Sequence, residues 1–388
     1  MALFASALDK CLNVDDFRSL AKKRLPRMVF DYLDGGAGDE KTVSRNREAF
    51  DDFFLLPKVL RDVEDIDLST KVMGQNIHLP LILAPTGLTR LFHYQGERLV
   101  ASAAARAGTI YSLSTLSSTS IEDISEASSG PKWFQIYVWR DRGIVREFIR
   151  RSRDAGYQAL CLTVDANIPG NRERDIRHGM TVPPSPSFKS ALEMLSHPGW
   201  VYRYLTSPPF EMANVATSPE ATAKGDQTLM DYVSSQFAKS VTWDDAAWMI
   251  EQWDGPFAIK GIMCAEDARS AVDVGASAIV LSNHGGRQLD RLPSTIEMLP
   301  EIVDAVAGRA EIIIDSGIRR GTDIIQAVAL GATACMIGRP YLYALAAGGE
   351  RGVDRLMTIM RAELERDMAL LGCKSVSDLN SDFIRIKS

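Results

Sequence analysis

The stretch Ser282-Asn283-His284-Gly285-Gly286-Arg287-Gln288-Leu289-Asp290 sets a titratable imidazole three residues before a permanent cation, with two glycines between them. The apolar run Ala278-Ile279-Val280-Leu281 before it reads as a buried strand, so the pair emerges where a strand leaves the core. A base beside a guanidinium suits a substrate that offers a carboxylate to grip and a proton to lose. A lone His in a polar loop can equally be a local hydrogen-bonding residue. The reading therefore depends on what the rest of the chain brings to the same place.

Short apolar, β-rich runs recur at 81–84, 110–113, 133–138, 159–164, 257–260, 278–281, 312–314 and 334–337. Between most of them lies a segment of helical period ending at a small residue, such as Glu97 to Gly108, Gly143 to Gly156, Ala265 to Gly275 and Thr322 to Gly331. This alternation predicts an α/β fold, a (β/α)8 TIM barrel, and not a doubly wound sheet. A dinucleotide-binding sheet would need a Gly-x-Gly-x-x-Gly turn after its first strand, and Ala84-Pro85-Thr86-Gly87-Leu88 is not one.

Barrel chemistry gathers at the carboxyl ends of the strands. Those ends carry, in order, Pro85, Thr86 and Gly87; Ser114; Gln135 and Tyr137; Thr163 and Asp165; Lys260; Ser282, His284 and Arg287; Asp315, Gly317 and Arg319; and Gly338 with Arg339. Glycine next to arginine after the last two strands is the form expected of a barrel phosphate site. Amides and hydroxyls on the second to fourth strands, with a buried lysine on the fifth, suit a flat heteroaromatic ring. Flavin mononucleotide (FMN) has one phosphate and a ring whose reduced form carries negative charge that Lys260 could stabilise.

The expected layout is one domain over 1–388: an N-terminal helical segment over 1–80, a barrel over 81–345 and C-terminal helices over 346–388. Asn13 or Asp15 caps a first helix through Lys22, Pro26 opens a second, and Gly35-Gly36 stops it. Tyr32 at that stop is either core packing or a phenol facing a ligand. Roughly ninety residues separate the fourth and fifth strands, far more than an ordinary connection. An insertion is expected at about 176–240, with Pro183-Pro184-Ser185-Pro186-Ser187, the aromatics Trp200, Tyr202, Tyr204 and Phe210, and a closing helix from Thr242 to Trp253. It reads as a substrate lid or, because Trp and Tyr suit the headgroup region, as an interfacial docking segment.

The chain of 388 residues is 46% hydrophobic and 24% charged, enough for a large core. Its net charge of −6 argues against nucleic acid as a partner. Five scattered cysteines form no disulfide or metal framework, so no metal is expected. The N-terminus has no secretory pattern and no run is long enough to span a bilayer, which predicts a cytoplasmic protein, with the insertion able to lie on the inner face of the cell membrane.

The Ser282–Asp290 stretch and Asp315-Ser316-Gly317-Ile318-Arg319-Arg320-Gly321 resemble the signature and phosphate segments of the FMN-dependent L-2-hydroxyacid oxidoreductases, which include glycolate oxidase, lactate oxidase and mandelate dehydrogenase. The resemblance runs from about Val14 to Ile384. It implies His284 as the base with Asp165 hydrogen-bonded to it. Arg287, Arg172 and Tyr32 would hold the substrate carboxylate, and Tyr137 would sit near the hydroxyl. Lys260, Ser114, Gln135 and Thr163 would lie around the flavin ring, and Asp315, Gly317, Arg319, Gly338 and Arg339 at the ribityl phosphate end. His284 could take the hydroxyl proton or the C2 proton, and both remain open. Gly87, where the oxidases usually carry Ala, is similar to the mandelate and lactate dehydrogenases and to lactate monooxygenase, and His197-Pro198-Gly199-Trp200 in the insertion resembles the membrane-associated bacterial L-lactate and mandelate dehydrogenases, which favours a quinone or cytochrome as acceptor. Trp253-Asp254-Gly255-Pro256 is most similar to the lactate enzymes, whereas Ala166-Asn167-Ile168-Pro169 departs from their wording. No haem domain precedes the barrel, so an external acceptor is expected, and the resemblance implies a homotetramer. The alternatives are an oxygen-using oxidase, a mandelate-type enzyme, a non-oxidative FMN isomerase and a non-catalytic barrel.

Overall fold

The computed structural model describes residues 7–180, 192–215 and 236–387. Its centre is a closed barrel of eight parallel strands: β1 (Leu81–Leu83), β2 (Tyr111–Ser114), β3 (Lys132–Ile136), β4 (Ala159–Thr163), β5 (Phe257–Ile262), β6 (Ala278–Leu281), β7 (Glu311–Ile314) and β8 (Ala334–Ile337). Each strand pairs with its neighbours in sequence, and β8 closes on β1. The runs lack polar alternation because both faces are covered, one by the barrel interior and one by the helices.

The period of two nonetheless decides the site. Ile82, Trp133, Cys161, Ala258, Val280, Ile313 and Met336 belong to one apolar cluster that fills the barrel, and with them comes Ile110, just before β2. One strand period or two further along come Ala84, Ser114, Gln135, Thr163, Lys260, Ser282, Asp315 and Gly338. The interior face of the strands therefore changes from apolar to polar at its carboxyl end. Register keeps the polar layer level: Ser114 lies opposite Gln135 and Thr163 opposite Lys260. A bulge between Lys260 and Ile262 ends the regular pairing of β5 with β6. Gly261 there has φ +108°, and a Cβ would lie 2.8 Å from the Asp165 Cβ, so glycine lets Asp165 approach.

The segment before residue 81 is helical only in part. Asn13 caps Val14–Arg24 by accepting from the Asp16 N–H at 3.0 Å, and this helix ends at Arg24 instead of Lys22. Arg27–Asp34 follows Pro26 and stops at Gly35. Residues 53–77, expected to be helical, instead contribute strands. Phe53–Leu55 pairs with Ile384–Ile386 and ties the two ends of the chain together. The hairpin Thr70–Val72/Gln75–Ile77 sends Val72, Met73 and Ile77 into the barrel-filling cluster. This apolar plug closes the end opposite the polar layer, so the cavity opens on one side.

In the insertion, the described residues include the helices Glu173–Arg177 and Pro198–Thr206. The proline-rich run Pro183–Ser187 lies outside the described residues. Trp243–Trp253 closes the fourth unit, with Thr242 and Asp245 forming a reciprocal cap.

Candidate active site

A cavity of about 250 Å³ occupies the carboxyl end of the barrel. It is lined by Tyr32, Pro85, Thr86, Gly87, Ser114, Gln135, Tyr137, Thr163, Arg172, Lys260, His284, Arg287, Asp315, Gly317, Arg319, Gly338 and Arg339. Of the residues expected from the sequence, Asp165 and Ser282 lie behind this wall. Ser282 is fully buried, and its hydroxyl oxygen accepts from the Lys260 ammonium at 2.6 Å and from the His284 N–H at 3.1 Å. It supports two lining residues and does not line the cavity itself.

The turn after β6 is built to present His284. Its backbone has φ +57°, a left-handed conformation costly for a non-glycine residue and held here by its surroundings. Asn283 and Asn46 exchange side-chain amide hydrogen bonds at 2.9 and 2.7 Å, and the Gly286 N–H donates to Asn283 Oδ1 at 3.2 Å. The Gly285 N–H donates to Ser316 Oγ at 2.9 Å. His284 Nδ1 lies 2.9 Å from Asp165 Oδ1. Burial alone would raise the Asp165 pKa, but His284 and then Lys260 outweigh it and hold the carboxyl below its ordinary range. With Nδ1 engaged by a carboxylate, Nε2 is the nitrogen left to accept a proton. Gln288 fixes the approach of the loop after β4, donating to Asp165 O at 3.1 Å.

Three guanidiniums line the cavity without a carboxylate partner among the described residues. Arg287 donates to Tyr32 O and Gly35 O at 2.7 and 3.0 Å, Arg319 to Ile318 O at 3.0 Å, and Arg339 to the carbonyls of Leu33, Gly285 and Gly35. Burial lowers the pKa of all three, that of Arg339 to about 10, yet each stays charged at neutral pH. Buried cations without a paired carboxylate favour a bound anion. Arg287 and Arg339 share the Gly35 carbonyl oxygen, so these two cations are neighbours in the wall. Arg287 lies 4.9 Å from the Tyr32 ring centre and Arg172 lies 6.0 Å from it, so two cations flank one phenol. Arg172 also pairs with Asp175 at 2.9 Å. Arg319 and Arg339 follow β7 and β8, where the helix Arg339–Gly348 starts and adds the positive end of its dipole.

Beside these cations the wall is polar and incompletely satisfied. The Ser114 hydroxyl donates to Gln135 Oε1 at 3.0 Å, while the buried Gln135 Nε2 has no partner among the described residues. Lys260 pairs with Asp315 at 2.7 Å. Burial would lower its pKa, but Asp315 and Asp165 raise it, so the ammonium is kept. Burial pushes the Tyr137 phenol up, so it stays protonated. An amide donor without a partner among the described residues, a buried ammonium and the guanidiniums that follow β7 and β8 fit a planar, hydrogen-bonding ring with a phosphate tail.

Sequence reasoning missed Asn46, which is distant in sequence and holds the turn, and Phe92, which lines the cavity and stacks on Tyr32 at 6.3 Å. Neither belongs to a strand end, so no local pattern marked it. Ser316 stood in the phosphate segment itself but was not singled out.

A barrel cavity at the carboxyl ends of the strands, lined by buried guanidiniums, a buried ammonium and an unsatisfied amide, defines the class, a cofactor-dependent barrel enzyme. The chain belongs to the FMN-dependent dehydrogenase family, whose profile matches residues 21–386, and its cofactor is FMN. It is 44% identical over 374 residues to a putative L-lactate dehydrogenase of Mycobacterium tuberculosis, covering 96% of this chain and 89% of that one. Identity to an L-lactate oxidase of a Nostoc species is 42% over 388 residues, covering 98% and 100% of the two chains. A solved structure described as monotopic membrane protein (S)-mandelate dehydrogenase superposes with a TM-score of 0.93 at 38% identity, covering 97% of this chain and all of that one.

Proposed function

We propose that the protein oxidises an L-2-hydroxyacid, with L-lactate the first candidate, to the 2-oxoacid and passes the electrons to a quinone or cytochrome. The observation that carries this reading is the His284–Asp165 pair at 2.9 Å in one cavity with Arg287 and Arg172 flanking Tyr32. FMN, when bound, supplies the two-electron acceptor for the substrate. Arg287 and Arg172 grip the substrate carboxylate, with the Tyr32 phenol beside it. Tyr137, kept neutral, orients the substrate hydroxyl. His284 takes the substrate proton at Nε2, and the Asp165 carboxylate stabilises the imidazolium so formed. Lys260, Ser114, Gln135 and Thr163 hold the ring of FMN, with Pro85, Thr86 and Gly87 beside it. Arg319 and Arg339 hold its phosphate, with Asp315, Gly317 and Gly338 shaping that end.

Gly87 supports the choice of acceptor through its resemblance to the dehydrogenases, and a Cβ there would lie 3.1 Å from both Leu116 Cβ and Leu116 O. An alanine would need Leu116 to give by a few tenths of an ångström. Exposed Leu192, Leu195, Tyr202 and Leu205 on the insertion support peripheral membrane contact, and no helix among the described residues is long and apolar enough to cross a membrane. A homotetramer on the cytoplasmic face completes the proposal. The L-lactate oxidase relative, spanning 98% of the chain, favours oxygen as the second reading.

Anaerobic mixing with a panel of L-2-hydroxyacids, followed by oxygen or a quinone analogue, tests substrate and acceptor together. L-lactate should bleach the flavin and quinone should restore it faster than oxygen. Bleaching by no hydroxyacid would overturn the substrate class, and faster recovery with oxygen would make the protein an oxidase. His284→Ala should keep FMN and lose bleaching; loss of FMN instead would assign His284 a structural role.

A further inference from the structure

A second cavity, of about 560 Å³, lies beneath the insertion helix Pro198–Thr206. Trp200 and Tyr204 on this helix stack with ring centres 5.0 Å apart and planes 10° from parallel. The Trp200 indole N–H donates to Leu91 O at 2.8 Å, which fastens the helix to the segment carrying Phe92. Phe92 is buried, lines both cavities and stacks on Tyr32 in the first. A single aromatic wall therefore separates the second cavity from the site of substrate oxidation. Lys23, Arg90, Arg203 and Arg351 line the second cavity, and among the described residues no aspartate or glutamate does. His93 adds an imidazole whose pKa burial pushes down to about 4, with nearby arginines acting in the same direction, so it is neutral at physiological pH.

We propose that this second cavity is the binding site of the electron acceptor, an alkylated quinone whose ring lies against Trp200, Tyr204 and Phe92. This rests on the reading of the protein as a hydroxyacid dehydrogenase. A flat ring matches the stacked aromatics. Its carbonyl oxygens accept from the cationic side chains, which also favour the negative charge that gathers on those oxygens during reduction. The volume falls in the range of small-molecule sites, which excludes a protein acceptor from the cavity itself. Leu192, Leu195 and Leu205 leave exposed apolar surface on the same segment for an alkyl tail. The balance is closed: the hydroxyacid loses two electrons and two protons to become the oxoacid, and the quinone takes up two of each to become the hydroquinone.

The test uses holoenzyme and a short-tailed alkyl benzoquinone. Arg203→Glu and Tyr204→Ala change the second cavity and touch none of the residues around His284. Each should raise the quinone Kd, read by tryptophan quenching, and the quinone KM by about tenfold or more, the loss of one strong contact. Anaerobic flavin bleaching by hydroxyacid should be unchanged. An unchanged quinone Kd and KM in both variants would overturn the site while leaving the dehydrogenase reading intact. A wild-type enzyme that is bleached by hydroxyacid but restored only by oxygen would overturn both. Photolabelling of the wild type with an azido-benzoquinone gives an answer even where a variant fails to fold. Adducts at 93–94 or 198–204 support the proposal, and adducts confined elsewhere, or binding of a fatty acid but not of the quinone, refute it.

Discussion

Asp165→Asn isolates the charge behind the proposed base. The substitution keeps the shape of a side chain that Gly261 must already accommodate, since a Cβ on that glycine would lie 2.8 Å from Asp165 Cβ and Cγ. It replaces the carboxylate 2.9 Å from His284 Nδ1 with a neutral amide. A hydrogen bond to a charged group contributes about 1.5–3 kcal/mol. If that contribution is present only when the imidazole carries the substrate proton, the bleaching rate should fall about 10- to 150-fold, at about 1.36 kcal/mol per tenfold. Because the native carboxyl pKa lies below the ordinary value of 3.8, the effect is fully present above that value and fades only as pH falls through the lower folded value. The deficit should therefore be constant across neutral pH. Stopped-flow anaerobic reduction by L-lactate measures it, with FMN affinity as the control. A rate within about threefold of wild type, below roughly 0.7 kcal/mol, would show that the carboxylate does not stabilise the imidazolium and would refute the assignment.

Arg319→Leu removes a buried cation with no carboxylate partner among the described residues. Breaking its pairing with a phosphate should weaken FMN by about 100-fold or more, on the order of 3 kcal/mol, in a flavin-fluorescence titration. The FMN-free protein should melt no lower than wild type, because an uncompensated buried charge is gone; equal FMN affinity would remove Arg319 from the phosphate end. Gly317→Ala should destabilise the protein by at least about 1–3 kcal/mol, since Gly317 has φ +114° and a Cβ would lie 2.1 Å from Asn46 O; an unchanged Tm would contradict this. His93 links stability to acid. Its folded pKa of about 4 lies below the ordinary 6.5, so its stabilisation is present above 6.5 and is lost as pH falls toward 4. The loss is at most about 1.4 kcal/mol per pH unit across that interval. His93→Gln should flatten this part of a denaturation profile, and an unaltered slope would count against it.

The barrel was legible in the sequence because a strand buried on both faces needs an unbroken apolar run, and eight such runs alternating with helical segments admit few other arrangements. The site residues were legible for a related reason: the polar layer starts where each interior face stops being apolar, so strand ends could be read without coordinates. Tertiary structure alone decided three things. It converted part of the segment before residue 81 from expected helix to an apolar plug, because Val72, Met73 and Ile77 gain burial only against a closed barrel. It moved Ser282 behind the cavity wall, since the turn that gives His284 its left-handed backbone directs the serine hydroxyl to Lys260. It also tied the loop after β1 that carries Phe92 to Trp200 on the insertion through Leu91 O, setting two cavities on either side of the Phe92 ring. Local pattern carries the strands and their ends, whereas contacts between segments a hundred residues apart exist only once the barrel has closed.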